Sequence, residues 1–272
     1  MIPSPFEYVA AGSAAEAVDL LRRHGDDAKL LAGGHSLLPM MKVRLAAPSV
    51  LVDIGAIPAL SYARVEDGQL AIGAATTHQA VATSSVVRAQ APLLAWSAGL
   101  VGDPQVRHRG TIGGSLAHAD PAADLPMALS AVDGRVVVLG PSGQREIGAD
   151  EFFQGYFETA LAPDEMIVEV RMPTRPGQPW GYQKFTRRAN DWAIVGVATV
   201  GGRVALANMG PAPVRALFTE QAVAAGATAT EAATLAAEES DPAEDIHADA
   251  PYRRHLAQVL TKRALVAAGI PA

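Results

Sequence analysis

The chain has 272 residues, of which 49% are hydrophobic and 5% aromatic, so it can bury a sizeable core built largely from small and branched aliphatic side chains. Its formal net charge of -6 argues against a sequence-independent nucleic-acid surface, which needs a basic stripe. The sequence contains no cysteine, which excludes disulfides, thiolate zinc sites and cysteine-held iron–sulfur clusters and suits a cytoplasmic protein.

The N-terminal third predicts short helices and strands. Its first residues lack the basic and apolar regions of a signal peptide, and no apolar run in the chain is long enough to span a bilayer. Ser13 and Glu16 form a capping-box pattern at the start of a helix that Gly25 ends. Two strands are predicted at 29–32 and 50–54, with a short helix at 37–43 between them.

The middle of the chain mixes hairpins with helices. Asp67-Gly68 lies between two alternating segments, which is typical of a β-hairpin. Two or three helices are predicted between about 77 and 100 and a short one over 122–130. Strands are predicted at 135–139 and 166–172.

Proline and glycine cluster in TRPGQP, residues 174–179, which is the best candidate for a domain boundary. Strands are predicted beyond it at 181–185, 193–200 and 203–208, followed by a helical tail. We expect the acidic stretch EESDPAED within this tail to be a solvated linker. The mixed order of elements favours an α+β fold over a doubly wound parallel sheet.

Two glycine pairs beside hydroxyl side chains are the chemically informative features. In AGGHS (32–36) a strand runs into the glycine pair and a serine opens a short helix, and TIGGS (111–115) repeats this chemistry. Glycine lets the backbone adopt positive φ and approach a ligand closely, and successive free N–H groups at such a turn bind anions. Each pair alone is more often an ordinary turn, but together they predict a pyrophosphate approached from two sides.

The sequence offers no rival site of this kind. G-x-G-x-x-G is absent from both segments, and the chain has no Walker A sequence, no G-x-S-x-G and no thiol nucleophile. Two phosphate-binding loops without an acid–base set indicate a protein whose cofactor performs the chemistry.

Polar residues near the second loop allow more than one interpretation. Asp124 accepts hydrogen bonds from a ribose or simply begins a helix. The segment Arg107–Arg109 binds phosphate, forms an interface patch or is a solvated cluster. His118 and Asp120 fit a polar loop better than a metal site, since no third ligand is near, and His35 fits a loop residue better than a catalytic base.

Longer segments resemble a known family. AGGHSLLPMMKVRL (32–45) and RGTIGGSLAHADPAADLP (109–126) are similar to the two FAD motifs of the flavoprotein subunits of molybdenum hydroxylases. The pattern is nearer to the carbon monoxide dehydrogenase medium subunits than to the FAD domain of xanthine dehydrogenase. FFQGYFETALAPDEMIVEVRMP (152–173) and YQKFTRRANDWAIVGVA (182–198) match in order and spacing, so the resemblance spans nearly the whole chain.

The resemblance implies an α+β FAD-binding fold of the vanillyl-alcohol-oxidase (PCMH) type, in which two subdomains clasp FAD, plus a small α+β C-terminal domain. We expect the FAD-binding domain at 1–173, with subdomains at about 1–55 and 56–173, and the C-terminal domain at 174–272.

It also implies the role of an oxidoreductase subunit in electron transfer. A molybdopterin-binding large subunit oxidises the substrate, a two-cluster iron–sulfur small subunit relays single electrons, and the FAD subunit collects them and reduces an external acceptor. We expect the chain alone to be inactive on organic substrates, with no nucleic-acid partner and no membrane span.

The family's cofactor-binding positions carry over residue by residue, with no catalytic residue or metal ligand among them. Asp124 is an FAD contact, and Ile167 and Lys184 match positions near FAD, where Lys184 stabilises negative charge on the reduced ring or else ends a strand at the surface. Trp192 falls beside the isoalloxazine, which it shields unless it belongs to the core, and Val101 replaces an aromatic residue. The residues implied to line the pyrophosphate are Ala32, Gly33, Gly34, His35, Ser36, Leu37, Thr111, Ile112, Gly113, Gly114 and Ser115.

Two departures from the family pattern matter. Ser115 stands where an asparagine is usual, so a hydroxyl contact replaces an amide contact. The absence of cysteine excludes the branch that reduces hydroxybenzoyl-CoA, which carries an extra iron–sulfur cluster in this subunit. The rival interpretations are a free-standing flavoprotein oxidoreductase, which needs its own acid or base, and a protein that only stores or delivers FAD.

Overall fold

A computed structural model describes residues 2–272, so Met1 of the predicted domain 1–173 lies outside the described residues. Helices and sheets are mixed along the chain, as predicted. The helices are α1 (Ala14–His24), α2 (Leu37–Lys42), α3 (His78–Thr83), α4 (Ser85–Gln90), α5 (Pro92–Leu100), α6 (Pro104–Arg107), α7 (Ile112–His118), α8 (Asp124–Ala131), α9 (Ala149–Phe152), α10 (Leu217–Ala224), α11 (Ala229–Ala233) and α12 (Ala250–Ala267).

A three-stranded parallel sheet begins the chain, with β1 (Glu7–Ala10), β3 (Val50–Asp53) and β2 (Ala28–Leu31) side by side in that order. The Ser13 hydroxyl accepts the Glu16 N–H at 3.1 Å and caps α1, and Gly25 (φ +55°) ends it. The Glu16 carboxylate accepts the Gly12 N–H instead of completing the predicted capping box. The apolar face of α1 packs on this sheet and forms one hydrophobic core.

A five-stranded antiparallel sheet forms the second layer. In spatial order its strands are β4 (Ala63–Glu66), β5 (Gln69–Gly73), β10 (Met166–Pro173), β6 (Arg135–Gly140) and β7 (Gly143–Gly148). Between β7 and β10 in the chain, β8 (Phe153–Gly155) and β9 (Glu158–Thr159) form a separate two-stranded hairpin. Asp67 and Gly68 both have positive φ, 50° and 74°, which confirms the predicted hairpin turn.

The C-terminal part contains a four-stranded antiparallel sheet, β11 (Trp180–Phe185), β12 (Val195–Val200), β13 (Arg203–Ala207) and β14 (Val214–Arg215). Helices α10, α11 and α12 cover one face and form a core with it. The other face contributes Ala198, Val200 and Ala205 to the large core that contains α5, α8 and the five-stranded sheet.

Three expectations need correction. Residues 112–118 form helix α7 rather than part of a loop, and α8 begins at Asp124, two residues later than predicted. The acidic stretch is not wholly solvated, since Asp245 pairs with the buried Arg253 at 2.6 Å. Within residues 2–272, no helix combines the length and apolar character needed to cross a bilayer.

Candidate functional site

One cleft of about 700 Å³ brings the predicted site residues together. Its volume lies within the range of small-molecule sites, about 300–1,000 Å³. It is lined by the segment after β2, the start of α7, the ends of β10 and β11 and the loop before β12. Every predicted cofactor-binding residue lines the cleft except Ile112, which is fully buried in the core because it begins the packed face of α7.

The first glycine pair forms the contact between the two predicted loops. A Cβ on Gly33 would lie 2.7 Å from the Gly110 Cα and would also overlap the Arg109 carbonyl, so only glycine fits there. Gly34 has φ +75°, a left-handed conformation that favours glycine and turns the chain into α2. The two loops are therefore in backbone contact, which places their cleft-facing sides next to each other.

The backbone N–H groups from Gly33 to Leu37 have no acceptor among the described residues. Ser36, which precedes α2, makes no side-chain cap. Consecutive unsatisfied N–H groups beside a cleft are the donors that bind phosphate oxygens. The first loop therefore has the geometry that the sequence predicted.

In the second segment the N–H groups of Gly113, Gly114 and Ser115 are used within the protein, so it offers fewer free donors than the expected two-sided cradle. The Gly113 N–H donates to the Ala74 carbonyl at 2.9 Å, and the Ser115 N–H donates to the Thr111 carbonyl at 3.0 Å. The Gly114 N–H donates to the Thr111 hydroxyl at 3.1 Å, so Thr111 caps α7. This loop contributes the exposed backbone of Gly114 and the hydroxyl of Ser115 to the cleft.

Asp124 is held in the cleft by two partners from β11. Tyr182 donates its hydroxyl to one carboxylate oxygen, and the Lys184 ammonium lies 2.9 Å from the other. The side chains of Lys184 and Asp124 are only 10% and 5% exposed, so Lys184 is not the surface lysine of the alternative interpretation. Burial and the Asp124 carboxylate raise the pKa of Tyr182 well above its usual range, so this phenol stays a donor.

Trp192 and its neighbours complete the cleft wall. Trp192 is 58% exposed, so the alternative that it belongs to the core is wrong. Ile167 at the start of β10 and Val101 after α5 contribute apolar surface. This mixture of an apolar wall with a few placed polar groups suits a large planar ligand.

The remaining polar candidates have identifiable roles. Arg107 donates to the carbonyls of Val101 and Gly102 at 3.2 and 3.0 Å and so braces that loop, whereas His108 and Arg109 are exposed. The His118 ring packs at a tilt against that of Phe157, with the ring centroids 5.1 Å apart. The Asp120 carboxylate accepts the Ala122 N–H at 2.9 Å. In residues 2–272 no three histidine or carboxylate side chains form a group able to hold a metal ion.

Sequence reasoning missed several residues that line the cleft, among them His78, and it missed Tyr182, which holds Asp124. His78 lines the cleft, is only 4% exposed and packs its ring against Gly110. Burial, with smaller effects from His35 and Arg107, lowers the pKa of His78 to about 4. Tyr182 lies two residues before Lys184 on one strand and therefore on the same face, a spacing that could have indicated it.

Comparisons with known proteins agree with this geometry. The sequence profile of the family described as the FAD binding domain in molybdopterin dehydrogenase matches residues 4–175, more than half of the chain. The profile of the CO dehydrogenase flavoprotein C-terminal domain matches residues 180–268. The chain belongs to the FAD-binding subunit family of the molybdenum hydroxylases.

Individual members of the family match this flavoprotein over almost its full length. The carbon monoxide dehydrogenase medium chain of Hydrogenophaga pseudoflava is 45% identical, with 98% of each chain covered. Subunit alpha of the 6-hydroxypseudooxynicotine dehydrogenase complex of Paenarthrobacter nicotinovorans is 37% identical over 98% of this chain and 96% of its own. The structure of the Hydrogenophaga pseudoflava dehydrogenase lacking the Mo-pyranopterin moiety superimposes with a TM-score of 0.96, at 46% identity and 99% coverage of both chains.

The cofactor of this flavoprotein family is FAD, and the cleft fits it. The unsatisfied N–H groups from Gly33 to Leu37 suit the pyrophosphate, and the glycines leave room for backbone approach. The wall around Ile167 and Trp192 suits a flat ring, with the Lys184 cation beside it.

Proposed function

We propose that this chain is the FAD-carrying electron-transfer subunit of a heterotrimeric molybdenum hydroxylase. Its partners would be a molybdopterin-binding large subunit, which oxidises the substrate, and a two-cluster iron–sulfur small subunit, which passes the electrons on. The observation that carries the proposal is a single cleft lined by both the unsatisfied N–H groups of Gly33 to Leu37 and the buried Asp124–Lys184 pair. Bound FAD would supply the ability to take electrons singly and release them as a pair.

The residues of the cleft bind and orient the cofactor in this proposal. The first loop would donate N–H groups to the pyrophosphate, and Ser36 and Ser115 would add hydroxyl donors. Lys184, held in place by Asp124, would place its ammonium group beside the ring, where a positive charge favours the reduced, more negative form. Trp192, which is exposed at the cleft, would shield the ring.

We favour the subunit role over a free-standing flavoprotein oxidoreductase. The latter needs an acid or base that can act on its own substrate, and the buried Asp124 is already engaged by both Tyr182 and Lys184. The near-complete coverage of medium chains that belong to larger dehydrogenases supports the same choice.

Domain division and location complete the proposal. We infer an FAD-binding domain at 1–173, with subdomains at about 1–55 and 56–173, and a C-terminal domain at 174–272. The end of β10 at Pro173, the start of β11 at Trp180 and the ranges of the two family profiles support this division. A cytoplasmic location suits a chain without cysteines.

Two measurements on the purified full-length chain test the proposal. Titration with FAD, followed by visible absorbance, is expected to give one FAD per chain. The loaded chain is expected to oxidise no aldehyde, purine or carbon monoxide until the two partner subunits are added. A chain that takes up no FAD at micromolar concentrations would overturn FAD binding, and turnover by the chain alone would overturn the subunit role.

A further inference from the structure

The largest fully buried side chain of the C-terminal domain is a charged one. Arg253, in the first turn of α12, is 2% exposed, although a buried guanidinium costs several kcal/mol unless it is well paired. One of its nitrogens donates to the Ile194 carbonyl, and another lies 2.6 Å from the Asp245 carboxylate. An apolar side chain would fill this space at lower cost, so the contacts of Arg253 call for an explanation.

The acceptor of Arg253 lies next to the cofactor cleft. Ile194 follows Trp192 by two residues, and the cleft is lined by the segment from Ala189 to Trp192. The Asn208 side chain donates to the Ala193 carbonyl at 2.8 Å and to the Ile194 carbonyl at 3.3 Å. Arg253 and Asn208 therefore both donate hydrogen bonds to the backbone of the two residues that follow Trp192.

The same elements reach the other polar part of the cleft. The Asn208 N–H donates to the Pro121 carbonyl at 2.7 Å, three residues before Asp124. Tyr252, beside Arg253, packs edge-on against Phe185 at 6.4 Å, one residue after Lys184. The start of α12 therefore contacts the chain next to both Trp192 and Lys184, through the Ile194 carbonyl and the Phe185 ring.

We propose that Arg253, together with Asn208, is a positioning residue for the flavin site and holds Trp192 against the ring from outside the cleft. This inference rests on the proposed FAD function, because it assigns a role within that same cleft. Since neither side chain lines the cleft, the effect passes through the carbonyls of Ala193 and Ile194.

The test uses the full-length chain carrying Trp96→Phe and Trp180→Phe, in which Trp192 is the sole tryptophan. Arg253→Met removes the charge and both contacts while filling the space. Arg254→Met is the matched control, because Arg254 is exposed on the same helix and donates to the Ser240 carbonyl instead. Asn208→Gly removes the side-chain hydrogen bonds to the carbonyls of Ala193 and Ile194. Glycine also tolerates the positive φ of 60° at that position.

Arg253→Met and Asn208→Gly are each expected to lower the fluorescence anisotropy of Trp192 in the FAD-free chain. Each is also expected to weaken FAD binding about tenfold and to change the visible circular dichroism of the bound flavin at saturation. Arg254→Met should change none of the three. A purely structural role would lower the unfolding temperature but leave anisotropy and flavin dichroism at their wild-type values.

The outcomes separate the two proposals. Wild-type anisotropy and flavin dichroism in the folded Arg253→Met and Asn208→Gly chains would overturn the positioning role. If Arg253→Met does not fold, the Asn208→Gly chain decides alone. If the parent chain binds no FAD, the proposed function fails, while the anisotropy of the FAD-free variants still decides whether Arg253 holds the Trp192 segment.

Discussion

At the scale of single residues, the glycines of the two motifs serve different purposes. Gly33 allows the backbone of one loop to touch that of the other, and Gly34 supplies a left-handed turn. The Gly113 N–H is used by the protein, and a Cβ there would lie 2.7 Å from the Ala74 Cβ. Similar sequence patterns thus build a donor-rich turn in one case and a tightly packed helix start in the other.

Gly33→Ala is expected to destabilise the fold and to weaken FAD binding together. The added Cβ overlaps the backbone of Arg109 and Gly110, which cannot move as a flexible side chain could. Overpacking of this kind costs about 1–3 kcal/mol. Urea unfolding and FAD titration measure the two effects, and Gly99→Ala, whose Cβ would only meet Ala82 at 3.8 Å, is the control. Equal stability of the Gly33→Ala and wild-type chains would contradict the loop contact.

His78 makes the stability of the fold depend on pH. Its pKa falls from 6.5 to about 4 because burial disfavours the charged ring, with smaller contributions from His35 and Arg107. The unfolded chain therefore takes up this proton first, and the free energy of unfolding drops as the pH falls from about 6.5 towards 4. The full effect is up to about 3 kcal/mol.

His78→Gln is expected to flatten this part of the stability profile. Unfolding temperatures of the wild type and the variant between pH 7 and pH 4 provide the measurement. His255→Gln is the matched control, since His255 is exposed on α12. The prediction is contradicted if the pH dependence of His78→Gln equals that of the wild type.

At the scale of elements, helix α7 forms although its glycine-rich sequence predicts a loop. Two glycines in seven residues argue against a helix, because glycine costs about 1 kcal/mol relative to alanine. The helix forms because Thr111 caps it and because Ile112 and Leu116 are fully buried in the large core. Tertiary packing therefore outweighs the intrinsic propensity of this segment.

Thr111→Ala is expected to cost about 1 kcal/mol of folding stability because the Gly114 N–H loses its acceptor. FAD binding should weaken as well, since the start of α7 lines the cleft. Thr111→Ser keeps the hydroxyl and should retain most of both properties. Chemical denaturation and FAD titration of the two variants measure these properties. If Thr111→Ser loses as much stability and FAD affinity as Thr111→Ala, the capping role is contradicted.

Elements with strong local signals could be predicted from the sequence, and those without them could not. The Asp-Gly hairpin and helix α1 were predicted near their observed bounds, since turn and cap residues act locally. Strand β7 was missed because its residues are mostly exposed and polar, and β9 because it has only two residues. Such strands exist through pairing with a neighbour, which no local pattern reveals.

At the scale of the whole molecule, the cofactor cleft and the cores are shared between parts of the chain. Ala198, Val200 and Ala205 of the C-terminal sheet lie in the same core as α5 and α8. The cleft combines the loop after β2 with β11 and the segment before β12. Structural units that share a core in this way unfold together.

We therefore expect a single unfolding transition, shifted upward by FAD. At a free concentration 100 times its Kd, FAD should add about 2.7 kcal/mol to the free energy of unfolding. Scanning calorimetry measures both effects. Riboflavin, which has the ring without the pyrophosphate, is the matched control and should give a much smaller rise. Two separate transitions, only one of them sensitive to FAD, would contradict the shared cleft.

The sequence by itself determined the family, the mixed α+β class and a set of site residues of which all but Ile112 line the cleft, because motif residues, turns and caps are local patterns. Only the tertiary structure decided how those residues are used. Asp124 meets Tyr182 and Lys184 about 60 residues away in the chain, Gly33 meets Gly110, and the N–H groups of Gly113, Gly114 and Ser115 are taken by Ala74 and Thr111. Most of these partners are distant in sequence, so their contacts depend on the path of the folded chain. The glycine pairs thus predicted where the cofactor cleft lies, while the fold decided which pair keeps free donors for the pyrophosphate.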